Sequence, residues 1–275
     1  MHHPQKISVI ITTYNSTEYL SRVLASLSVQ GCNDFEVIVA DDGSTQETAD
    51  LIKKATAEYR YPLLHAWHED NRFRAAAIRN LAVTKSSGDY LVFLDGDCLA
   101  LENFIARHRD CAEFGYLVRG SRIMLKEAFT KKLLTGQNDL PYTLLDWIKL
   151  RLCGNVKRIF PIFGLPYRQY AKTKKWPGVK TCNLGIWRKD FEAVNGFDES
   201  YIGWGHEDAD IAVRLIRHGI KRKEGRTQVP VIHLWHQEND RSHLSDNEDR
   251  LQTVISASYT WAEPGLANHQ ELNRP

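Results

Sequence analysis

The sequence predicts an α/β fold with a doubly wound half whose strand ends carry the chemistry. Three observations predict it. Apolar, β-branched runs alternate with helix-period segments over the first hundred residues. Three of those runs end in polar clusters, and ligands of such sheets bind beyond the carboxyl ends of the strands. No apolar run approaches the roughly 18 residues that span a bilayer.

Taken in order, Lys6–Thr12 is a continuous β-branched run, as in a buried parallel strand. Leu20, Val23, Leu24 and Leu27 then fall on one helical face. Phe35–Ala40 is a second buried strand and ends in Asp41-Asp42-Gly43-Ser44. A helix over Thr48–Tyr59, a short strand over Leu63–Trp67 and a helix over Arg74–Thr84 follow. Tyr90–Leu94 is a buried strand ending in Asp95-Gly96-Asp97. Residues 122–180 carry weaker patterns: an amphipathic helix over Thr143–Leu152, and an apolar stretch, Ile159–Tyr170, broken by Pro161, Gly164 and Pro166. Beyond Cys182 the signals return, with a helix over Ala209–His218 stopped by Gly219 and a strand over Val229–Leu234. A last helix over Asp246–Ser258 precedes a loose tail, Glu263–Pro275.

The composition is that of an ordinary globular chain: 275 residues, 43% apolar and 25% charged, with 36 Lys and Arg against 34 acids. Disorder is excluded, and the near-neutral balance gives no reason to expect a nucleic-acid partner. Five cysteines with no CxxC spacing argue against a disulfide framework or a thiolate zinc site. The apolar run Ile7–Ile11 is too short for a signal peptide, so the sequence reads as cytoplasmic. Charge is nevertheless uneven. Residues 126–180 hold twelve Lys and Arg against three acids, a local +9 in a chain of net +2. Such a block suits an anionic surface or substrate.

Four motifs carry chemistry. In Asp95-Gly96-Asp97 the two carboxylates fall on one side of an extended chain, with Gly96 leaving room for close approach, and paired oxygens suit Mg²⁺ or Mn²⁺ on a diphosphate. The alternative is a simple turn. In Asp41-Asp42-Gly43-Ser44 a carboxylate could accept from a base or ribose, or could make an Asx turn capping the next helix. Gly203-Trp204-Gly205-His206-Glu207-Asp208 follows Asn195-Gly196-Phe197-Asp198-Glu199. Two acids opening a helix could be capping. An indole between glycines beside an acid suits a stacked sugar whose hydroxyl loses its proton. Finally His233 and His236 lie at a strand end, either structural or metal-ligating.

Ser8–Asn15, Val39–Ser44 and Phe93–Asp97, in this order, resemble the nucleotide-sugar half of family 2 glycosyltransferases with the GT-A fold. The later GFDE and GWGHED motifs resemble the acceptor half of the galactosyltransferase-like and chondroitin-polymerase-like members. The resemblance implies a Rossmann-like nucleotide-binding half with a mixed central sheet, fused to a smaller acceptor-binding half. It divides the chain into a nucleotide-sugar half (1–121), a basic variable segment (122–180), an acceptor and catalytic half (181–245) and a C-terminal helix and tail (246–275). It places Thr12, Tyr14 and Asp42 on uridine, Arg74 near the base and diphosphate, and Asp95 and Asp97 on the ribose and metal. It makes Asp208 the base, with Glu207 on a sugar, and Trp204 and Asn183 on the acceptor side. Mn²⁺ or Mg²⁺ would sit on Asp97, Asp95 and His236; His233 is the rival, and spacing does not separate the two.

The implied reaction is an inverting, metal-dependent transfer of a hexose or N-acetylhexosamine from a UDP-sugar to a hydroxyl of a glycan or lipid-linked glycan, in surface polysaccharide or lipopolysaccharide synthesis. A sugar-nucleotide nucleotidyltransferase would need a glycine-rich basic loop where Thr12-Thr13-Tyr14-Asn15 stands. A non-catalytic carbohydrate-binding protein would not need Asp95, Asp97 and Asp208 together. The basic segment 126–180, with its apolar stretches, suggests an anionic membrane surface on the cytoplasmic side as a further partner.

Overall fold

The computed structural model describes residues 3–141, 143–163, 172–237 and 240–271. The elements run β1 (Ile7–Thr13), α1 (Thr17–Ser28), β2 (Phe35–Asp41), α2 (Gln46–Glu58), β3 (Leu63–Trp67), α3 (Ala75–Thr84), β4 (Tyr90–Asp95) and β5 (Cys98–Ala100). Then come α4 (Phe104–Cys111), β6 (Tyr116–Arg119), β7 (Ser121–Met124), α5 (Glu127–Leu134), α6 (Leu144–Leu152), β8 (Lys172–Thr173) and β9 (Asn183–Trp187). The chain continues through α7 (Arg188–Ala193), α8 (Glu207–Arg217), β10 (Lys221–Glu224), β11 (Pro230–His233), α9 (Leu244–Ser256) and α10 (Ala267–Glu271).

Eight strands form one sheet in the order β3-β2-β1-β4-β9-β6-β10-β8. The first four are mutually parallel, and β1, β2 and β4 are buried on both faces, which explains their largely apolar sequences, while β3 is the half-exposed edge. Alternate side chains feed two cores. Val9, Ile11, Val37 and Val39 pack against Leu20, Val23 and Leu24 of α1, while Ile10, Ile38 and Phe93 pack against Ile78 of α3 and Phe197. Each fully buried Ile or Leu here is worth about 1.5–3 kcal/mol relative to exposure. β9 lies antiparallel between β4 and β6, so the sheet is mixed, as expected. A second sheet, β5-β11-β7, packs beside it and carries His233 at the end of β11.

One expectation changes, and one motif gains a structural part. The described part of the tail, up to Glu271, is not loose: Leu266 is buried, and Asn195 fixes the segment by donating to the Ala262 carbonyl and accepting from the Ala267 amide. The Asn195–Glu199 motif is a structural rivet. Asn195 and Gly196 both have left-handed backbones, and the fully buried Arg214 donates to the carbonyls of Val194 and Gly196 while pairing with Asp210 at 2.8 Å. Part of the apolar stretch 159–170 lies outside the described residues. No helix among the described residues is long and apolar enough to cross a membrane.

Candidate active site

The ends of β1, β2 and β4 converge on one cleft of about 630 Å³. Their loops are knitted before any ligand arrives. Asn15, with a left-handed backbone, donates its amide to Ser44 Oγ and accepts from the Thr45 amide. Asp41 makes the Asx turn, accepting from the Ser44 amide at 2.9 Å, and also pairs with His65. Asp42 is the acid that reaches the cleft. One of its oxygens faces His68 at 2.6 Å and the other accepts from the Arg74 amide at 2.8 Å. Neither acid caps α2, whose N-cap is Thr45. Tyr14 lines the same end, its hydroxyl donating to Asp70 at 2.9 Å.

Of the two arginines at the start of α3, Arg74 and Arg79, Arg79 is the one that enters the cleft. The structure does not bring the Arg74 side chain there; its guanidinium donates outward to the Glu69 carbonyl. Arg79, one turn further along α3 and 4% exposed, donates to Thr12 Oγ1 at 2.9 Å, Glu207 Oε1 at 3.1 Å and Asp95 Oδ1 at 3.4 Å. It thus joins the ends of β1 and β4 to the start of α8. Burial disfavours its charge, but Glu207 and Asp95 outweigh that and hold its pKa above the usual value. Arg79 lies on an alanine-rich helix with no polar neighbour pattern, so sequence spacing gave it no signal.

Asp95, Gly96 and Asp97 all line the cleft, and Gly96 lies tight against the end of β1. A Cβ there would lie 2.8 Å from the Thr12 carbonyl, which accepts the Gly96 amide. Burial and the neighbouring Asp97 push Asp95 up to about 6. Burial also raises Asp97, but the hydrogen bond from His236 and the charges of both histidines leave it lowered. The structure brings both histidines to this acid: His236 Nε2 stands 3.0 Å and His233 Nε2 3.5 Å from Asp97 Oδ2. The hydrogen bond to Asp97 raises His236 to about 9, whereas burial lowers His233. Ligand atoms of Asp97, His233 and His236 lie within 4.8 Å of one another, and His233 Nδ1 is buried without a partner. One carboxylate and two imidazoles, beside the second carboxylate of Asp95, fit a divalent cation. The imidazoles favour Mn²⁺ over Mg²⁺, which prefers oxygen alone.

Across the cleft, α8 opens with Glu207 and Asp208 after a turn in which Gly203, Gly205 and His206 all have positive φ. That backbone holds Trp204 at the rim, with the Arg241 guanidinium 5.1 Å from its ring. Asp208 is 8% exposed; burial and adjacent Glu207 push it up to about 6, against Lys180 at 3.6 Å. Asn183 is not on this wall. It is 2% exposed, its amide donates to the Ser121 and Val229 carbonyls, and its oxygen accepts from His108 Nε2. Burial lowers His108 to about 4, so that ring is neutral. Asn183 therefore joins the two sheets, and every part of its amide is used there.

The family model for glycosyl transferase family 2 matches residues 8–191. The chain belongs to glycosyl transferase family 2. A second family model, the N-terminal domain of galactosyltransferase, matches residues 164–236, in accord with the resemblance of the acceptor half. Among curated relatives, validoxylamine A glucosyltransferase of Streptomyces hygroscopicus subsp. jinggangensis is 29% identical over 90% of this chain. The chain spans 61% of that relative's length. Two solved structures share the fold. S. aureus TarS 1–349 in complex with UDP-GlcNAc has a TM-score of 0.62 at 15% identity, covering 97% of this chain and 70% of the other. The Pyrobaculum calidifontis mannosyltransferase PcManGT in complex with GDP-Man and Mn²⁺ has 0.61 at 16% identity, covering 99% and 75%. This family 2 member thus has the GT-A fold.

Proposed function

We propose that this family 2 member is an inverting, metal-dependent glycosyltransferase, moving a hexose or N-acetylhexosamine from a UDP-sugar to a hydroxyl of a glycan in surface polysaccharide or lipopolysaccharide synthesis. One observation carries the reading. Arg79 ties Asp95, next to the Asp97–histidine cluster, to Glu207, next to Asp208, so leaving-group and base machinery face one cleft. The TarS complex with UDP-GlcNAc and the PcManGT complex with Mn²⁺ support the nucleotide-sugar and metal parts of it.

In this reading Thr12, Tyr14 and Asp42 receive the uridine, with Asp42 the acceptor for uracil. Asp97, Asp95, His236 and His233 would hold the cation, which when bound neutralises the charge of a departing diphosphate. Trp204 offers a flat face to a sugar. Asp208 takes the proton of the acceptor hydroxyl as that oxygen attacks the anomeric carbon from the face opposite the diphosphate. Its raised pKa suits the task, because a buried carboxylate is a stronger base than one in water. Glu207, fixed by Arg79, orients the sugar.

UDP release from UDP-glucose, UDP-galactose and their N-acetylamino forms tests the reading, each with Mn²⁺, Mg²⁺ or excess EDTA. Turnover with one donor is expected, lost in EDTA. Asp208→Asn should lower it by about 10²–10⁴-fold while UDP still binds. Full turnover in EDTA overturns the metal role; an Asp208→Asn enzyme within about threefold of wild type moves the base elsewhere.

A further inference from the structure

The basic block is not one surface. Lys172 of β8, on the far edge of the large sheet, pairs with Glu113 at 2.7 Å and sits over the Tyr116 ring, and Lys180 faces Asp208. Apart from these and the exposed Lys174 and Lys175, the stretch 126–163 holds seven Lys and Arg against three acids.

Within it, α6 is two-sided. It is a well-founded helix, started by a capping box between Thr143 and Asp146. At about 100° per residue, Trp147 and Leu150 share one face, and both are buried. Leu144, Ile148, Leu152 and Leu145 fall in one opposite arc about 100° wide. They are 44%, 36%, 81% and 76% exposed. Single exposed leucines are ordinary; four in one arc form a patch that needs an occupant. Lys149 and Arg151, both exposed, border the arc on its two sides, and Phe160, 60% exposed, follows in the next turn of chain. An apolar stripe bordered by cations matches a bilayer surface, whose acyl boundary takes the leucines while anionic headgroups take the bases.

The chain that follows α6 leads toward the cleft. Gly154, Asn155 and Lys157, just after α6, line a hollow of about 800 Å³ that shares Met124, Lys157 and Trp235 with the cleft.

We infer that α6 is a membrane-docking helix that lies in the headgroup layer of an anionic bilayer through Leu144, Leu145, Ile148 and Leu152, with Lys149 and Arg151 on headgroup phosphates. The docking stands on the stripe alone. Its use, presenting lipid-linked acceptors to the cleft, rests on the glycosyl-transfer reading.

Co-sedimentation with phosphatidylcholine vesicles, with and without phosphatidylglycerol, tests it. The chain should sediment with the phosphatidylglycerol vesicles at low salt, be released as salt rises, and stay in solution with phosphatidylcholine alone. Leu145→Gln with Leu152→Gln should lower binding about tenfold or more. Lys149→Gln with Arg151→Gln should weaken binding and flatten its salt dependence. No sedimentation with anionic vesicles at low salt overturns the inference, as does binding that both variant pairs leave intact. A wild-type dimer in analytical ultracentrifugation that the leucine variant abolishes gives the stripe to a second copy and likewise overturns it. UDP release in vesicle-free buffer is the control, since none of the four residues lines the cleft. Loss in wild type strikes the glycosyl-transfer reading, while sedimentation still reads the surface.

Discussion

Replacing Arg79 by Met removes one cation from among four carboxylates while nearly keeping the side chain's volume. At 3.1 Å from Glu207 and an effective dielectric near 20, the Coulomb attraction it loses is about 5 kcal/mol. Desolvation of a guanidinium only 5% exposed offsets part of that in the wild type, so the relevant figure is the cost of stranding a partner. Removing one side of a buried pair costs about 3–5 kcal/mol. Asp95 is 31% exposed at its side chain, so water screens it and the lower end, about 3 kcal/mol, is the expected value. For a chain of this size that is a fall in Tm of about 6–12 °C. The loss should depend on pH, with a definite sign. Asp95 is already raised to about 6 by burial and by Asp97, with Arg79 opposing. Without Arg79 it rises further; a carboxyl raised in the folded state costs stability progressively from its unfolded to its folded pKa, so the variant's extra loss begins above the wild-type value of about 6. The gap between wild type and variant should therefore be widest near about pH 8 and close toward about pH 5. Calorimetric unfolding in EDTA across that range measures it. A gap under about 1 kcal/mol, or one that pH does not change, refutes the account of Arg79 as the counter-charge of the cleft.

Two other outcomes follow from the geometry. Asp208 works as a base only when deprotonated, so turnover should fall about tenfold per pH unit below its value near 6. A pH–rate profile whose acid limb survives in Asp208→Asn would attribute that limb to another group. Asn183→Leu strands the His108 donor and two carbonyls, for a loss of about 3 kcal/mol or more in urea unfolding, with donor affinity unchanged; weakened donor binding at full stability would return Asn183 to the cleft.

β1, β2 and β4 were legible because each is buried on both faces and therefore mostly apolar, and their polar ends followed directly. The helices were legible for the same reason in a different period; α1 buries the four leucine and valine positions expected of it. β10 was not legible, because Lys221-Arg222-Lys223-Glu224 has no apolar residue at all. Its place in the sheet depends on ion pairs with Glu113 and within the strand, which no local pattern announces. Of the site residues, those contributed by strand ends and turns were visible as polar interruptions. Arg79 was not singled out and Asn183 was assigned to the acceptor side, since each owes its position to partners distant in sequence, Glu207 for Arg79 and His108 and Ser121 for Asn183. The choice between His233 and His236 could not be made from spacing because both reach Asp97.

The antiparallel strand β9 bears on how the chain can be taken apart. It enters the sheet from the second half of the sequence and sits between β4 and β6, both from the first. A fragment ending near residue 121 would keep β4 and β6 without the strand that joins them, and would bare the flank of β4 that Leu184 and Ile186 cover. The two parts of the chain thus share one sheet, with β9 interleaved between strands of the first. Grafting a new acceptor half from another family member requires replacing β9 along with it, and so re-matching Tyr90 and Phe93 of the recipient to the incoming strand.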